Sequence, residues 1–179
     1  EVQRQRVERM VHQMMSEKGI KCITEAGITR VEEVAAGYRG HIEANGGSQV
    51  VAAEELLVAA GRRPNTARLE LERAGVKVDN LGHIVVDEYL QTTNRHVFAA
   101  GDATAGPQFV YVAAYEGALA AENALLGTQR KVDLNTVPSV IFTSPSIATV
   151  GLTEVQAREA GYNVKASILP IEAVPRAWR

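Results

Sequence analysis

The stretch FAAGDATAGPQFVYVAAYEG, residues 98–117, places a glycine and a carboxylate, Gly101 and Asp102, at the end of an apolar run. A Gly-Pro turn follows, and then a helix that starts near Gln108 and is apolar on nearly every side. A strand ending here would deliver Gly101 and Asp102 to the C-terminal edge of a sheet, where open α/β sheets hold their ligands. Gly101 has no side chain, so a ligand can approach the backbone closely. Asp102 is an acceptor-only carboxylate at neutral pH, suited to the hydroxyls of a sugar or ribityl chain. The helix start adds unbonded N–H groups and a partial positive charge that favour an electron-rich ligand edge. A long ligand with a polyol middle and an electron-rich ring would satisfy both. An aspartate after a strand also serves as a turn former or helix cap, and spacing by itself leaves both open.

A second candidate is EELLVAAGRRPN. Residues 56–60 are apolar at every position and end in Gly61, which predicts a strand buried on both faces with a functional loop at its C-terminal end. Arg63 and Arg68 read as solvated surface charge. His41 and His83 have no companions at metal-ligand spacing and are expected at the surface, so no metal site is predicted. Cys22, the single cysteine, excludes an internal disulfide and a cysteine-rich zinc site, and GIKCIT predicts a buried core thiol. No C-x-x-C and no G-x-G-x-x-G occurs in the chain.

The elements that must position these residues alternate between strand and helix. Val7, Met10, Val11 and Met14 follow helical spacing in an opening helix with no N-cap, and IKCI predicts a short strand after it. ITRVEEVAAG and YRGHIEA alternate as half-exposed antiparallel strands, and NGG at 45–47 signals a hairpin. A Pro64 turn leads to a short helix ended by Gly75, two strands are expected within residues 83–102, and Gly127 ends the helix of the opening stretch. Beyond the proline-ended linker VDLNTVP, the order is strand, strand, helix, strand. Thr153 and Gln156 form a capping box, Gly161 closes the last helix, and Tyr111 and Tyr115 share a helix face for core or interface packing. The uncapped start and abrupt end read as an internal fragment in three pieces: 1–62, 63–132 and 133–179.

Composition narrows the class. The 179 residues are 46% hydrophobic and 22% charged, ordinary for a globular chain. A net charge of −2 without a basic stripe argues against nucleic acid. No apolar run approaches a membrane span and no signal peptide opens the chain, so a cytoplasmic protein is expected.

VFAAGDATAGPQFVYVAAYEG resembles the second flavin-binding segment of the class I pyridine nucleotide-disulfide oxidoreductases, and LLVAAGRRPNT resembles their junction between the NAD(P)H-binding and FAD-binding domains. VPSVIFTSPSIATVGLTEVQAREAG resembles the opening of their dimerisation domain. The motifs occur in the family's order and cover essentially the whole chain. The resemblance implies an α/β fold: partial FAD/NAD(P)-binding Rossmann-like domains, then the start of an α+β dimerisation domain. It implies a NAD(P)H-domain part at 1–62, an FAD-domain part at 63–132, and a truncated dimerisation domain at 133–179.

It also implies site roles. Asp102 would bind the ribityl hydroxyls of FAD, with Gly101 beside it. Phe109 and Val110 would place backbone N–H groups at the flavin's pyrimidine edge. Gly61 would lie near the pyridine nucleotide, with Arg62, Pro64 and Asn65 completing its turn. QFVYVAA and AVPRA are similar to the Hg(II)-reducing branch of the family, which implies NADPH and FAD as cofactors, Hg(II) as substrate and a homodimer. The redox cysteine pair and the glycine-rich loops would lie outside residues 1–179, leaving no catalytic residue within them and an inactive isolated piece. A lipoamide-using relative, a non-catalytic flavin- or nucleotide-binding module, and a structural protein with a degenerate family fold stay open at this point.

Overall fold

The computed structural model of the chain describes residues 2–174. It divides into two compact units, Glu1–Ala60 and Gly61–Arg179.

The first unit holds α1 (Val2–Glu17) and an antiparallel meander of β1 (Ala26–Val34), β2 (Gly37–Ala44) and β3 (Gly47–Ala53). β1 pairs β2 from Ala26↔Ala44 to Val34↔Gly37, with a register shift between Ile28 and Arg30. At the expected NGG hairpin, Ala44 pairs Gly47, and Asn45 and Gly46 both have positive φ. That left-handed two-residue turn matches the twist of the flanking strands, and Asn-Gly is the pair that adopts it at least cost.

Two expected strands are not formed in this unit. Residues 20–23 and 56–60 belong to no ladder, Leu57 is 88% exposed, and Cys22 is exposed rather than buried. A strand buried on both faces needs hydrogen-bonding neighbours and covering layers. Among the described residues neither segment has a strand partner, so the apolar pattern finds no core here.

The second unit is built on α2 (Val110–Leu126), ended by Gly127 in the left-handed conformation as expected. Its buried positions are Val112, Glu116, Leu119, Ala120 and Asn123, a stripe at helical spacing. Leu90, Leu119 and Ala120 form the core, with Val86, Phe98 and Val132 packed against it. The helix is therefore not uniformly apolar in role: two polar residues lie inside, while Val110, Leu125 and Leu126 lie outside. Asn123 makes this possible by using all of its amide. Its Nδ2 donates to the carbonyls of Tyr89 (3.0 Å) and Arg130 (2.8 Å), and its Oδ1 accepts from Arg130 N (2.8 Å) and Thr128 Oγ1 (2.9 Å). The loop after the helix is thereby stitched to the segment before it.

The segment feeding Asp102 is extended but joins no continuous ladder. It is held on one side by a Gln91↔Phe98 bridge and by Ala99 N donating to Leu90 O at 3.1 Å. The short helix before Gly75 is a single 3₁₀ turn, Leu71–Ala74. β4 (Ser139–Ile141) and β5 (Ile147–Thr149) pair antiparallel, and α3 (Glu154–Glu159) carries the full Thr153–Gln156 capping box. Gly161, with positive φ, donates to Arg158 O at 2.9 Å. The strand expected within residues 163–170 is not formed, there being no described partner for it. In AVPRA, residues 175–177 lie outside the described residues.

Candidate functional site

The site is a loop and a helix start within the second unit. Gly101–Ala103 is one 3₁₀ turn, entered from Ala100 in an extended conformation. Gly101 is buried with φ +69, and a Cβ on it would stand 2.7 Å from Ala113 Cβ. Only glycine satisfies both the left-handed backbone and the contact with α2. Its carbonyl accepts from Thr104 N and Thr104 Oγ1, each at 2.9 Å, so the buried threonine closes the turn.

Asp102 leaves this turn toward solvent with its side chain 49% exposed, and its Oδ2 accepts from Arg62 Nη1 at 2.8 Å. Arg62 follows Gly61, whose φ of +87 bends the chain into the turn of Pro64 and Asn65. An open groove of about 540 Å³ is lined by Arg62, Pro64, Asn65, Asp102, Ala103 and Gln108, among others. Phe109 and Val110 come next in the chain. Phe109 is the N-cap of α2 with no side-chain capping bond, and the first helical N–H to find a backbone partner is that of Ala113, to Phe109 O at 3.0 Å. The N–H groups of Val110, Tyr111 and Val112 precede it, while the Val110 side chain is 88% exposed and packs on little. The ring of Phe109 stacks on Tyr111, centroids 5.2 Å apart. The tyrosines of this face do not enter the core: the Tyr111 hydroxyl donates to Pro138 O, and the Tyr115 hydroxyl accepts from Asp133 N at 3.1 Å.

Chemically, the groove presents one carboxylate oriented by a guanidinium, and the bend at Gly61 and the uncapped start of α2 adjoin its lining residues Arg62 and Gln108 in the chain. The carboxylate can accept hydroxyl protons, and the helix start can donate N–H groups. The chain contains no C-x-x-C for thiol redox work.

The order of these parts matches known proteins. A family described as "Pyridine nucleotide-disulphide oxidoreductase" matches residues 1–117, and its dimerisation domain matches residues 137–179. The chain belongs to the pyridine nucleotide-disulphide oxidoreductase family. A mercuric reductase of Bacillus cereus is 56% identical over 91% of the chain and 26% of its own length, and one of Staphylococcus aureus is 54% identical over 93% and 30%. A dihydrolipoyl dehydrogenase of Geobacillus stearothermophilus is 39% identical over 94% of the chain and 36% of its own length. Among solved structures, LpdA from Mycobacterium tuberculosis superposes with a TM-score of 0.82 at 28% identity, over 94% of this chain and 36% of that one. The flavoprotein disulfide reductase RclA from Escherichia coli superposes at 0.76 with 33% identity, over 93% and 38%. The chain thus spans about a quarter to a third of the length of the curated relatives it matches. The expected α/β fold class, with nucleotide-binding domains followed by the start of a dimerisation domain, is that of the pyridine nucleotide-disulphide oxidoreductases.

Within that family frame, the second unit brings Asp102 and Arg62 into contact, a pairing that the separate motifs did not indicate. Glu116 and Thr104, which motif and composition did not single out, turn out to hold the Asp102 turn. The available signal for Glu116 was register: it falls on the stripe of Val112, Leu119 and Asn123, where an acidic side chain must have a partner. Arg63 and Arg68 are exposed, as expected. His83 is not at the surface but half-buried, its Nδ1 3.0 Å from Asp79 Oδ2. Partial desolvation works to raise the Asp79 carboxyl, but hydrogen bonds from His83 and from Leu81 N outweigh it and hold the carboxyl below its ordinary range. That pair braces the loop after the 3₁₀ turn at Leu71–Ala74 and lies apart from the groove. Among the described residues no helix is long and apolar enough to cross a membrane.

Proposed function

We propose that this chain is part of a homodimeric, cytoplasmic flavoenzyme that uses NADPH to reduce Hg(II) to Hg(0). In this reading residues 1–62 belong to the NADPH-binding domain, 63–132 to the FAD-binding domain and 133–179 to the dimerisation domain. The observation that carries the flavin assignment is the half-exposed Asp102 carboxylate, oriented by Arg62 beside the uncapped start of α2. The residues fit FAD by their chemistry: a carboxylate for ribityl hydroxyls, and free N–H donors for the electron-rich pyrimidine edge. The substrate assignment is supported by relatives named mercuric reductase at 46–56% identity, against 39–41% for those named dihydrolipoyl dehydrogenase.

The chain's own residues bind and orient. Asp102 accepts hydrogen bonds from hydroxyls, and Arg62, 2.8 Å from its Oδ2, orients the carboxylate in the groove. The N–H groups from Val110 onward stabilise negative charge at the α2 terminus. Gly61, lacking a side chain, leaves room for a nicotinamide nucleotide beside its turn. When bound, FAD relays two reducing equivalents between nicotinamide and a dithiol. Overall, one hydride supplies the two electrons that convert Hg(II) to Hg(0), leaving NADP⁺ and releasing one proton to solvent. The thiols that hold Hg(II) belong to parts of the enzyme outside residues 1–179.

The test is steady-state oxidation of NADPH by the full-length protein with a thiol-buffered Hg(II) salt, run beside a dihydrolipoamide/NAD⁺ assay. Hg(II)-dependent oxidation with no lipoamide turnover is expected. Turnover of dihydrolipoamide without Hg(II) activity would transfer the protein to the other branch. Light scattering of the full-length protein at micromolar concentration should give a dimer, and a monomer would refute the assembly.

A further inference from the structure

Glu116 lies in the middle of α2 and is only 3% exposed, yet it carries a carboxyl group. A buried carboxylate is costly unless hydrogen-bonded, so what it touches is informative. Its Oε2 accepts the backbone N–H of Gly101 at 2.7 Å, and Gly101 immediately precedes Asp102. Its Oε1 faces the other end of the same loop, where a Cβ on Gly106 would stand only 3.3 Å away. One carboxyl group thus addresses both ends of the loop 101–106. The loop is further locked by Thr104 on the Gly101 carbonyl and by Ala113 against Gly101. Ala113 and Glu116 sit on α2, the helix whose first N–H groups form the other half of the candidate site.

We propose that Glu116 is a positioning residue for FAD, acting through the Gly101 N–H to fix Asp102 relative to the start of α2. The inference rests on the flavin reading of the Asp102 groove and extends it to a residue that need not touch the cofactor. In FAD the ribityl chain is bonded directly to the ring, so the groups that bind the two must stand within a narrow range of separations. Anchoring the Asp102 turn to the same helix that supplies the N–H donors sets that separation, and an error of a few tenths of an ångström would be felt as lost affinity.

The experiment is titration of FAD into apo-protein of the full-length enzyme, with thermal unfolding of each variant alongside. Glu116→Gln keeps an acceptor oxygen at the same reach and should bind FAD within a few-fold of wild type. Glu116→Asp withdraws the acceptor by one methylene and should weaken binding about ten- to a hundredfold. Leu119→Ala, one turn away in the core, should lower the unfolding temperature at least as much and leave FAD affinity nearly unchanged. In the double variant Glu116→Asp/Asp102→Ala, the Glu116 change should add little to the loss from Asp102→Ala, because it acts through that residue. Full additivity, failure of Glu116→Gln to retain FAD, or affinity that follows melting temperature across all variants would overturn the positioning role. Retention of FAD by Asp102→Ala alone would instead overturn the site reading beneath it, and the two failures are separately visible.

Discussion

Arg62 Nη1 and Asp102 Oδ2 meet at 2.8 Å although the residues are 40 positions apart. The pair ties the turn after Gly61 to the turn at Gly101. With 64% of the Arg62 side chain and 49% of the Asp102 side chain exposed, solvent screens it, and its contribution to stability is small, about 0–1 kcal/mol. Its effect belongs to orientation. Arg62→Ala should therefore leave the melting temperature nearly unchanged while flavin release from the full-length protein becomes severalfold faster. Stopped-flow release of FAD fluorescence measures this, and an unchanged rate would make the pair ornamental.

Val110 offers a clean test of the backbone donors. Val110 is the first residue of α2, a position where proline is tolerated, and Phe109 before it is already extended at φ −125, ψ 143. Val110→Pro should keep the helix and delete one N–H, weakening FAD binding by about tenfold at most. Val110→Ala should bind as wild type, the exposed side chain making no comparable contact. Equal behaviour of the two variants in FAD titration would remove the N–H of residue 110 from the site.

Asn123 should dominate the stability of the second unit. Asn123→Ala leaves the carbonyls of Tyr89 and Arg130 and the N–H of Arg130 without this partner. A loss of about 2–4 kcal/mol is expected in urea unfolding. A loss below about 1 kcal/mol would mean that water replaces the amide freely.

The Asp79–His83 pair sets an acid limit. Because the folded Asp79 carboxyl is held below its ordinary range, its stabilisation is fully present above the unfolded value near pH 4. It is lost as pH falls from there through the folded value. Asp79→Asn should therefore flatten the acid branch of stability below about pH 4 and lower stability at pH 7. Denaturant midpoints between pH 3 and pH 7 test the sign, and an identical acid branch in the variant would refute it.

The local devices are legible in the chain: the Asn-Gly hairpin at residues 45–46, the glycine ends at Gly75 and Gly127, and the Thr153–Gln156 capping box. These depend on the conformational preferences of one or a few neighbouring residues, so short windows suffice. Gly101 and Asp102 became candidates by their place after an apolar run and Gly61 by its place at the end of another, whereas Phe109 and Val110 entered through the family resemblance. Which of two readings an apolar run takes depends on packing. Residues 56–60 look like a buried strand and are exposed here, since burial requires partners that periodicity cannot name. In the same way α2 looked apolar throughout until its packing selected one stripe and placed Glu116 and Asn123 on it. The contacts Arg62–Asp102 and Glu116–Gly101 join positions 40 and 15 residues apart, and no local preference encodes them. They exist because the core around Leu90 and Leu119 brings the elements together, and the buried polar groups must then find each other or pay for desolvation.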